Sequence, residues 1–490
     1  MAEEMLLGID VGTTAVKAIL FDAGGAELDC YRASYPTMRP SNGVVEQDPE
    51  LWIHHILRAL EQFTAGRDLG NLKAIGITSQ VDTHVFVDAD GNSLAPAIVW
   101  QDGRCAREAA ELDALVCDED RTRWWGSPRR IDASHCLSRM RWMARHHPEI
   151  WDRTQHVMLP KDFCIYRLTG EFVSDPISNF GLVDTNLDYI PKLLGLVPGA
   201  PERLAPLARI TDLAGRVRPD LPCAGVPLCV STMDAWAGMF GVGVHDDRQA
   251  MYLSGTSEVL AIVSPNVHPV PGVLVFPDYD AMKVHIGPTQ SGGDSITWYC
   301  DLLNVTPAEM AARVEALDRD APCPLFLPHL QGERAPIWDI HARGTFVGID
   351  ARMGASEIAR AVYEGVGFSA RLLLDSLQRS SQTEVHTINC GGGGFQSDIW
   401  NQIRADILGR SLKRTKVSDP GVLGASAMAA VAANLFGTLE DALAQIVKFD
   451  RTFEPDAARH RRYNDLFKLY EETYLATRHI NAELGRIYAN

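Results

Sequence analysis

Three short stretches and one aspartate carry residue types that suit nucleotide chemistry. Asp10-Val11-Gly12-Thr13-Thr14 lies between two apolar, β-branched runs, Leu6–Ile9 and Ala15–Phe21, a strand–turn–strand pattern. Small residues in such a turn let backbone N–H groups approach a phosphate. The two hydroxyls add donors, and Asp10 offers a hard oxygen to Mg2+. The same residues would also build an ordinary hairpin with a polar turn. A second stretch of the same design, Ser254-Gly255-Thr256-Ser257 between Met251–Leu253 and Val259–Val263, lies about half a chain further on. The pair points to a duplicated domain with nucleotide between the halves. In the third stretch, Ile388-Asn389-Cys390 runs into Gly391-Gly392-Gly393-Gly394, followed by a helical pattern from Gln396 to Leu408. Such glycines permit close approach of a base or sugar, and a helix N-terminus favours anions. Asp234 follows the apolar run Val226–Val230 and precedes Ala235, Ala237 and Gly238. At a helix start an aspartate serves as a cap as readily as a base.

The elements that must hold these groups are legible in outline. Asp48 is placed to cap a helix with Pro49 at its first position and Ile53, Ile56, Leu57, Leu60 and Phe63 on one face. The strand Ala74–Ser79 ends in Gln80-Val81-Asp82-Thr83-His84, and the strand Val85–Asp88 follows. Polar residues held between two buried strands are a usual setting for small-molecule recognition. Trp100 and Asp102 are further candidates: the indole would pack on the carbon face of a polyol, and the carboxylate would accept hydroxyl protons. Equally, Trp100 can be core and Asp102 the cap of a helix starting near Cys105. Lys17 is a phosphate candidate or a solvent-facing strand residue. Trp124 and Trp125, among Arg121, Arg123, Arg129 and Arg130, line a pocket mouth or a surface loop.

Taken together, these stretches resemble the FGGY family of carbohydrate kinases, and the resemblance spans the chain. Its most specific part is Gly344-Thr345-Phe346-Val347-Gly348-Ile349, seven residues, then Glu357-Ile358-Ala359-Arg360-Ala361-Val362-Tyr363-Glu364. Ahead of it, Leu327-Pro328-His329-Leu330-Gln331-Gly332-Glu333-Arg334 is similar to another family segment. The resemblance implies an α/β fold of two actin-like, ribonuclease-H-type lobes with nucleotide and sugar in a cleft between them. It implies ATP and Mg2+, with Asp234 as catalytic base and Asp10 holding or orienting the metal. Gly12, Thr13, Thr14, Gly255 and Thr256 would cradle phosphates, Gly393 and Gly394 would face adenine and ribose, and Asp398 would lie nearby. Departures are local. Ser231-Thr232-Met233 replaces glycines before Asp234, and Arg139 stands for a family lysine. Val81-Asp82 replaces the methionine-histidine of xylulokinases, placing Asp82 where glycerol kinases carry a substrate-contacting glutamate. Gln80, Val81, Asp82, Trp100 and Asp102 form the expected acceptor set. A ketopentose such as xylulose is the first acceptor expected, with a short polyol such as glycerol or erythritol as the alternative. A silent sugar sensor would have lost Asp234 or the glycine-rich elements. A chaperone-type ATP clamp would need a peptide-binding domain for which no segment remains.

Composition agrees with this reading. At 490 residues two domains are expected, divided at the small-residue run Gly241–His245 into 1–244 and 245–490. Hydrophobic content is 46%, and no run approaches the roughly 18 apolar residues of a membrane span. Met1-Ala2-Glu3-Glu4 is acidic and leads directly into a strand, so a secretory leader is not expected and the cytosol is. A net charge of −17, spread rather than blocked, argues against nucleic acid or anionic membrane as partner. The ten cysteines show no metal-type spacing and read as buried thiols in a reducing compartment. Ala457–Asn490 reads as a charged amphipathic helix, suited to docking on its own domain or on a second copy of the chain.

Overall fold

The computed structural model describes residues 4–127 and 129–488. Met1–Glu3 and the last two residues of the C-terminal segment read above lie outside the described residues. The chain forms two units. The first comprises 1–243, 277–279 and 420–447, and the second 244–276, 280–419 and 448–490.

The first unit is built on a six-stranded sheet. β1 (Met5–Val11), β2 (Ala15–Asp22), β3 (Glu27–Ser34), β4 (Leu72–Ser79), β5 (Leu213–Arg216) and β6 (Pro227–Cys229) lie in the order β3-β2-β1-β4-β6-β5. β1 pairs antiparallel with β2 and β2 with β3, whereas β4 runs parallel to both β1 and β6. Both parallel strands are almost wholly apolar because both sheet faces are covered. The helix α1 (Pro49–Gly66) covers one face with Trp52, Ile56, Leu60 and Phe63. Its cap is the predicted one, with the Asp48 carboxylate accepting from the Glu50 N–H at 3.0 Å.

The second unit repeats the design. β7 (Ala250–Ser254), β8 (Glu258–Val263), β9 (Leu274–Val275), β10 (Val284–Pro288), β11 (Thr387–Gly391), β12 (Ser411–Thr415) and β13 (Phe449–Phe453) form a sheet ordered β9-β10-β8-β7-β11-β12-β13. From β10 to β12 the relations are again antiparallel, antiparallel, parallel, parallel. The duplication inferred from the two hairpins is therefore a duplication of sheet topology.

The structure departs from a contiguous division at 244. The helix Pro420–Ala432, although it follows strands β7–β12 of the second unit in the chain, packs on β1 and β4 of the first unit. The cause is steric. A Cβ on Gly8 would lie 2.1 Å from the Val422 carbonyl oxygen, and one on Gly76 would lie 2.0 Å from that of Ala425. Helix backbone thus rests directly on strand backbone, which only glycine in the strands permits. The insertion 277–279 belongs here too, because the Tyr279 hydroxyl accepts from the Ile210 N–H at 3.0 Å. Trp124 and Trp125 are core residues of an eight-residue helix rather than pocket lining. All ten cysteines are free thiols. Among the described residues no helix is long and apolar enough to cross a membrane.

Candidate active site

In the first unit, register places the functional turn. Asp10 pairs with Lys17 and Val11 with Val16, leaving Gly12, Thr13 and Thr14 as the link. Three successive carbonyls of this link are held by the surrounding protein. Gly12 C=O accepts from the Tyr35 hydroxyl, Thr13 C=O from Gln47 Nε2 at 2.7 Å, and Thr14 C=O from the Tyr35 N–H at 3.3 Å. A planar trans peptide directs its N–H opposite to its C=O. Fixing the Gly12 and Thr13 carbonyls inward therefore turns the Thr13 and Thr14 N–H groups to the open side, where they can receive an anion. Asp10 ends β1 with its carboxylate 15% exposed and the Lys17 ammonium 4.0 Å away.

Asp234 opens the helix α3 (Asp234–Gly241). It is not the cap. Met233 holds that position without a side-chain cap bond, and Asp234 accepts from the N–H of its neighbour Ala235 at 2.7 Å. Burial pushes its carboxyl up to about 7, and the charge of Asp10 adds to the rise. This is the range in which a carboxylate serves best as a base near neutrality. The loop before it is fixed by groups distant in sequence. Thr78 Oγ1 donates to Thr232 C=O at 2.7 Å, and Thr232 Oγ1 donates to Asp175 at 2.9 Å. Asp175 in turn pairs with Lys161 at 2.9 Å, and Lys161 with Asp162 at 2.6 Å. This ion triad is buried. Burial opposes the Lys161 charge, yet the two aspartates hold its pKa above the ordinary value. Lys161 and Asp175 support the base without touching it, and the sequence signal was a lysine-aspartate pair inside an otherwise apolar run.

The expected acceptor residues divide. Asp82 adopts a left-handed backbone (φ 55°) with its carbonyl held by Arg139. Asp82 helps line a polar cavity of about 20 Å³ whose other lining residues include His84, Arg129, Asp132, His135 and Asn179. Burial raises the Asp82 carboxyl to about 6 against the pull of Arg129. Val81 is half-buried beside it. Gln80 is buried, its amide bonded to Gln47 and Thr83, and the Trp100 indole N–H donates to Thr13 Oγ1 at 3.1 Å. Asp102 has a structural task instead. It accepts from the Val45 N–H at 2.6 Å and from the backbone and guanidinium of Arg104, so its oxygens are taken. Nor does it cap the helix beginning at Ala106, whose cap position is Cys105.

The second unit builds its turn by the same rule. Gly255 C=O accepts from the Gly293 N–H at 3.0 Å and Thr256 C=O from the Asp294 N–H at 3.1 Å, both at the start of the helix α4 (Gly293–Leu303). The Thr256 and Ser257 N–H groups are thereby turned to the open side. Gly255 and Thr256 are exposed. Of the three glycines after β11, Gly393 has nothing within 4 Å of where a Cβ would stand. At Gly394 a Cβ would fall 1.9 Å from Ser254 Oγ. Gly393 therefore offers the open surface, and Gly394 is small so that the two loops can touch. One buried guanidinium joins them: Arg404 donates to Ser254 Oγ, to Glu258 and to Gly394 C=O at 2.8, 2.9 and 3.0 Å. Arg334, left without a role in the sequence reading, reaches Ser257 Oγ at 3.3 Å and Thr289 C=O at 2.7 Å, bringing positive charge to the turn. Asp398 opens the helix α6 (Asp398–Leu408), where it is ion-paired with Arg414 and Arg451. Among the described residues no cluster of three or more acidic, His or Cys side chains could hold a metal by itself. A single carboxylate such as Asp10 fits Mg2+ that arrives with phosphate and water already supplying most of its oxygens.

Each unit carries an amide-presenting turn on its own copy of the sheet, and the first unit adds an aspartate poised near neutrality. The chain is a member of the FGGY family of carbohydrate kinases: the family's N-terminal domain matches residues 5–241 and its C-terminal domain 250–433. It is thus an ATP-dependent phosphotransferase acting on a sugar hydroxyl, on the actin-like ATPase fold. It is 32% identical over 489 residues to the xylulose kinase of Escherichia coli (strain K12), covering 96% of this chain and 98% of that protein. Among solved structures it is similar to the ligand-bound xylulose kinase from Lactobacillus acidophilus (26% identity, TM-score 0.85, 97% and 98% of the two chains). It is also similar to the gluconate kinase from Lactobacillus acidophilus (25% identity, TM-score 0.87, 99% and 100%).

Proposed function

We propose that the protein phosphorylates a ketopentose such as xylulose, with Asp234 as general base, in the cytosol. The observation that carries the catalytic role is the Asp234 carboxyl. It stands at a helix start without serving as the cap, raised to about 7 by burial and by Asp10. The acceptor class follows from the full-length likeness to xylulose kinases. The acceptor hydroxyl passes its proton to Asp234 as its oxygen bonds to the γ-phosphorus and the bond to the β–γ bridging oxygen breaks, releasing ADP. The transition state is loose, so alignment and charge neutralisation supply most of the acceleration. Mg2+, when bound with ATP, would neutralise phosphate charge, and Asp10 is the residue to hold or orient it. Thr13, Thr14 and Thr256, with Gly12 and Gly255 beside them, receive phosphate oxygens. Gly393 takes the adenosine side, with Gly394 and Asp398 shaping that loop. The free thiols suit a reducing compartment.

Asp82 favours a second reading, a short polyol, because the carboxylate of a cavity-lining residue accepts hydroxyl bonds wherever a chain of hydroxyls fits. ADP release across ketopentoses, ketotetroses, glycerol and four- to six-carbon polyols decides between the two. The one acceptor that stimulates turnover names the substrate, and xylulose giving no stimulation would refute the first reading. In the same assay Asp82→Ala should raise the acceptor KM by about tenfold, the loss of a charge-assisted hydrogen bond worth roughly 1.5–3 kcal/mol, while the KM for MgATP stays unchanged. Unaltered acceptor saturation would place Asp82 outside the site.

A further inference from the structure

Gln47 lies immediately before Asp48, the cap of α1. In the structure its side chain is fully buried, and its amide closes a ring of hydrogen bonds. Gln47 Nε2 donates to Thr13 C=O at 2.7 Å and to Thr37 Oγ1 at 2.8 Å, while its Oε1 accepts from Gln80 Nε2 at 2.8 Å. Gln80 Oε1 accepts from Thr83 Oγ1 at 3.2 Å, and Thr83 Oγ1 accepts from the Trp100 N–H at 3.1 Å. The Trp100 indole N–H returns to Thr13 Oγ1 at 3.1 Å. The ring thus begins and ends on Thr13, the centre of the first amide-presenting turn. It passes through the strand end that carries Asp82.

We propose that Gln47 is a positioning residue that fixes the direction of the Thr13–Thr14 peptide and couples the phosphate turn to the acceptor strand, so that neither is set independently of the other. This rests on the assignment of the turn to phosphate given above. The turn has only small side chains, so its peptide planes are set largely by whatever takes its carbonyls. Without Gln47 the Thr13 carbonyl is left to the long 3.5 Å contact from Thr37 Oγ1, a hydroxyl that Gln47 itself holds, and the peptide is free to rotate and take the Thr14 N–H from the open side. At this position only an amide serves both neighbours. It donates to the Thr13 carbonyl and accepts from the Gln80 amide, whereas a carboxylate cannot donate and an apolar side chain can do neither, leaving buried groups unpaired. Closed networks of this kind act as units, so removing one member loosens the rest.

The test is a set of variants in the full-length protein: Gln47→Leu, the isosteric Gln47→Glu, Trp100→Phe, which removes the indole N–H together with part of the ring, the Gln47→Leu/Trp100→Phe double, Thr13→Ala, and Thr14→Pro, which removes the Thr14 N–H. KM for MgATP, KM for D-xylulose and kcat per correctly folded molecule are measured for each. Gln47 sits where neither substrate is expected to touch it, yet both KM values should rise about fivefold or more in Gln47→Leu and Gln47→Glu. The double variant should be no worse than the poorer single. Two results overturn the coupling while leaving the phosphate turn standing. One is Gln47 variants with both KM values unchanged and only kcat or stability lowered, beside a Thr13→Ala that raises the KM for MgATP. The other is multiplication of the two single effects in the double variant. Unchanged MgATP kinetics in both Thr13→Ala and Thr14→Pro overturn the phosphate assignment itself, and the coupling with it.

Discussion

Asp234→Asn is expected to lower turnover by about 10²–10⁴-fold, the usual contribution of a general base, with MgATP bound as tightly as in the wild type. Asparagine keeps the shape and the bond from the Ala235 N–H but cannot take a proton. Calorimetric MgATP titration beside ADP release separates the two effects, and a variant that keeps most of its acceptor-dependent turnover would rule out Asp234 as the base. The pH profile follows from the same carboxyl. Only its ionised form accepts the acceptor's proton, so kcat/KM should rise with pH as a single titration centred near the value of about 7 that burial and Asp10 give it. Stability runs the other way. Its folded pKa lies above the ordinary 3.8, so the native state binds more protons at this site than the unfolded chain. The contribution to stability is present below 3.8 and lost as pH rises through 7. Asp234→Asn should therefore melt higher than wild type at pH 8, and the gain should shrink at pH 5. The base is held ready at a cost to the fold.

The second large effect lies away from the chemistry. Lys161→Met should destabilise the first unit by about 3–5 kcal/mol, the cost of leaving buried charges uncompensated. Asp162 and Asp175 would then face each other with no cation between them. Since Asp175 anchors Thr232 in the loop before Asp234, whatever protein folds should also show a lowered kcat with little change in either KM. Neutralising all three, with Lys161→Met, Asp162→Asn and Asp175→Asn together, should recover most of the stability, because an uncharged cluster has no desolvation debt. Chemical denaturation of the single and triple variants checks this. Equal losses in both would mean that packing volume, and not charge, is what the triad supplies.

What was legible in the sequence shares one property: it is local. The two hairpins announced themselves because strand alternation, small turn residues and hydroxyls fall within a dozen positions. The Asp48 cap and Pro49 identify the start of their helix for the same reason. Asp234 was legible as a helix start, and resemblance rather than chemistry singled it out as a base. What escaped was pairing across distance. Nothing near Asp102 in sequence tells that the distant Val45 N–H takes one of its oxygens, and nothing near Gln47 tells that it lies between Thr13 and Gln80. The four glycines looked alike, yet Gly394 answers to Ser254 and only Gly393 is open. The small residues of the helix Pro420–Ala432 say how near a neighbour comes and not which neighbour it is.

That helix has a consequence for how the protein is made. The ribosome delivers all six strands of the first sheet, and Asp234 with them, by residue 243, but the segment that lies on Gly8 and Gly76 only after residue 419. The second unit in turn waits for residues 448–490. Domain-by-domain folding during translation, the usual order for long chains, is therefore closed to it. Between residues 243 and 420 the nascent chain carries a complete first sheet with one face uncovered. Any message truncated before the codon for Pro420 yields two unfinished units instead of one finished one.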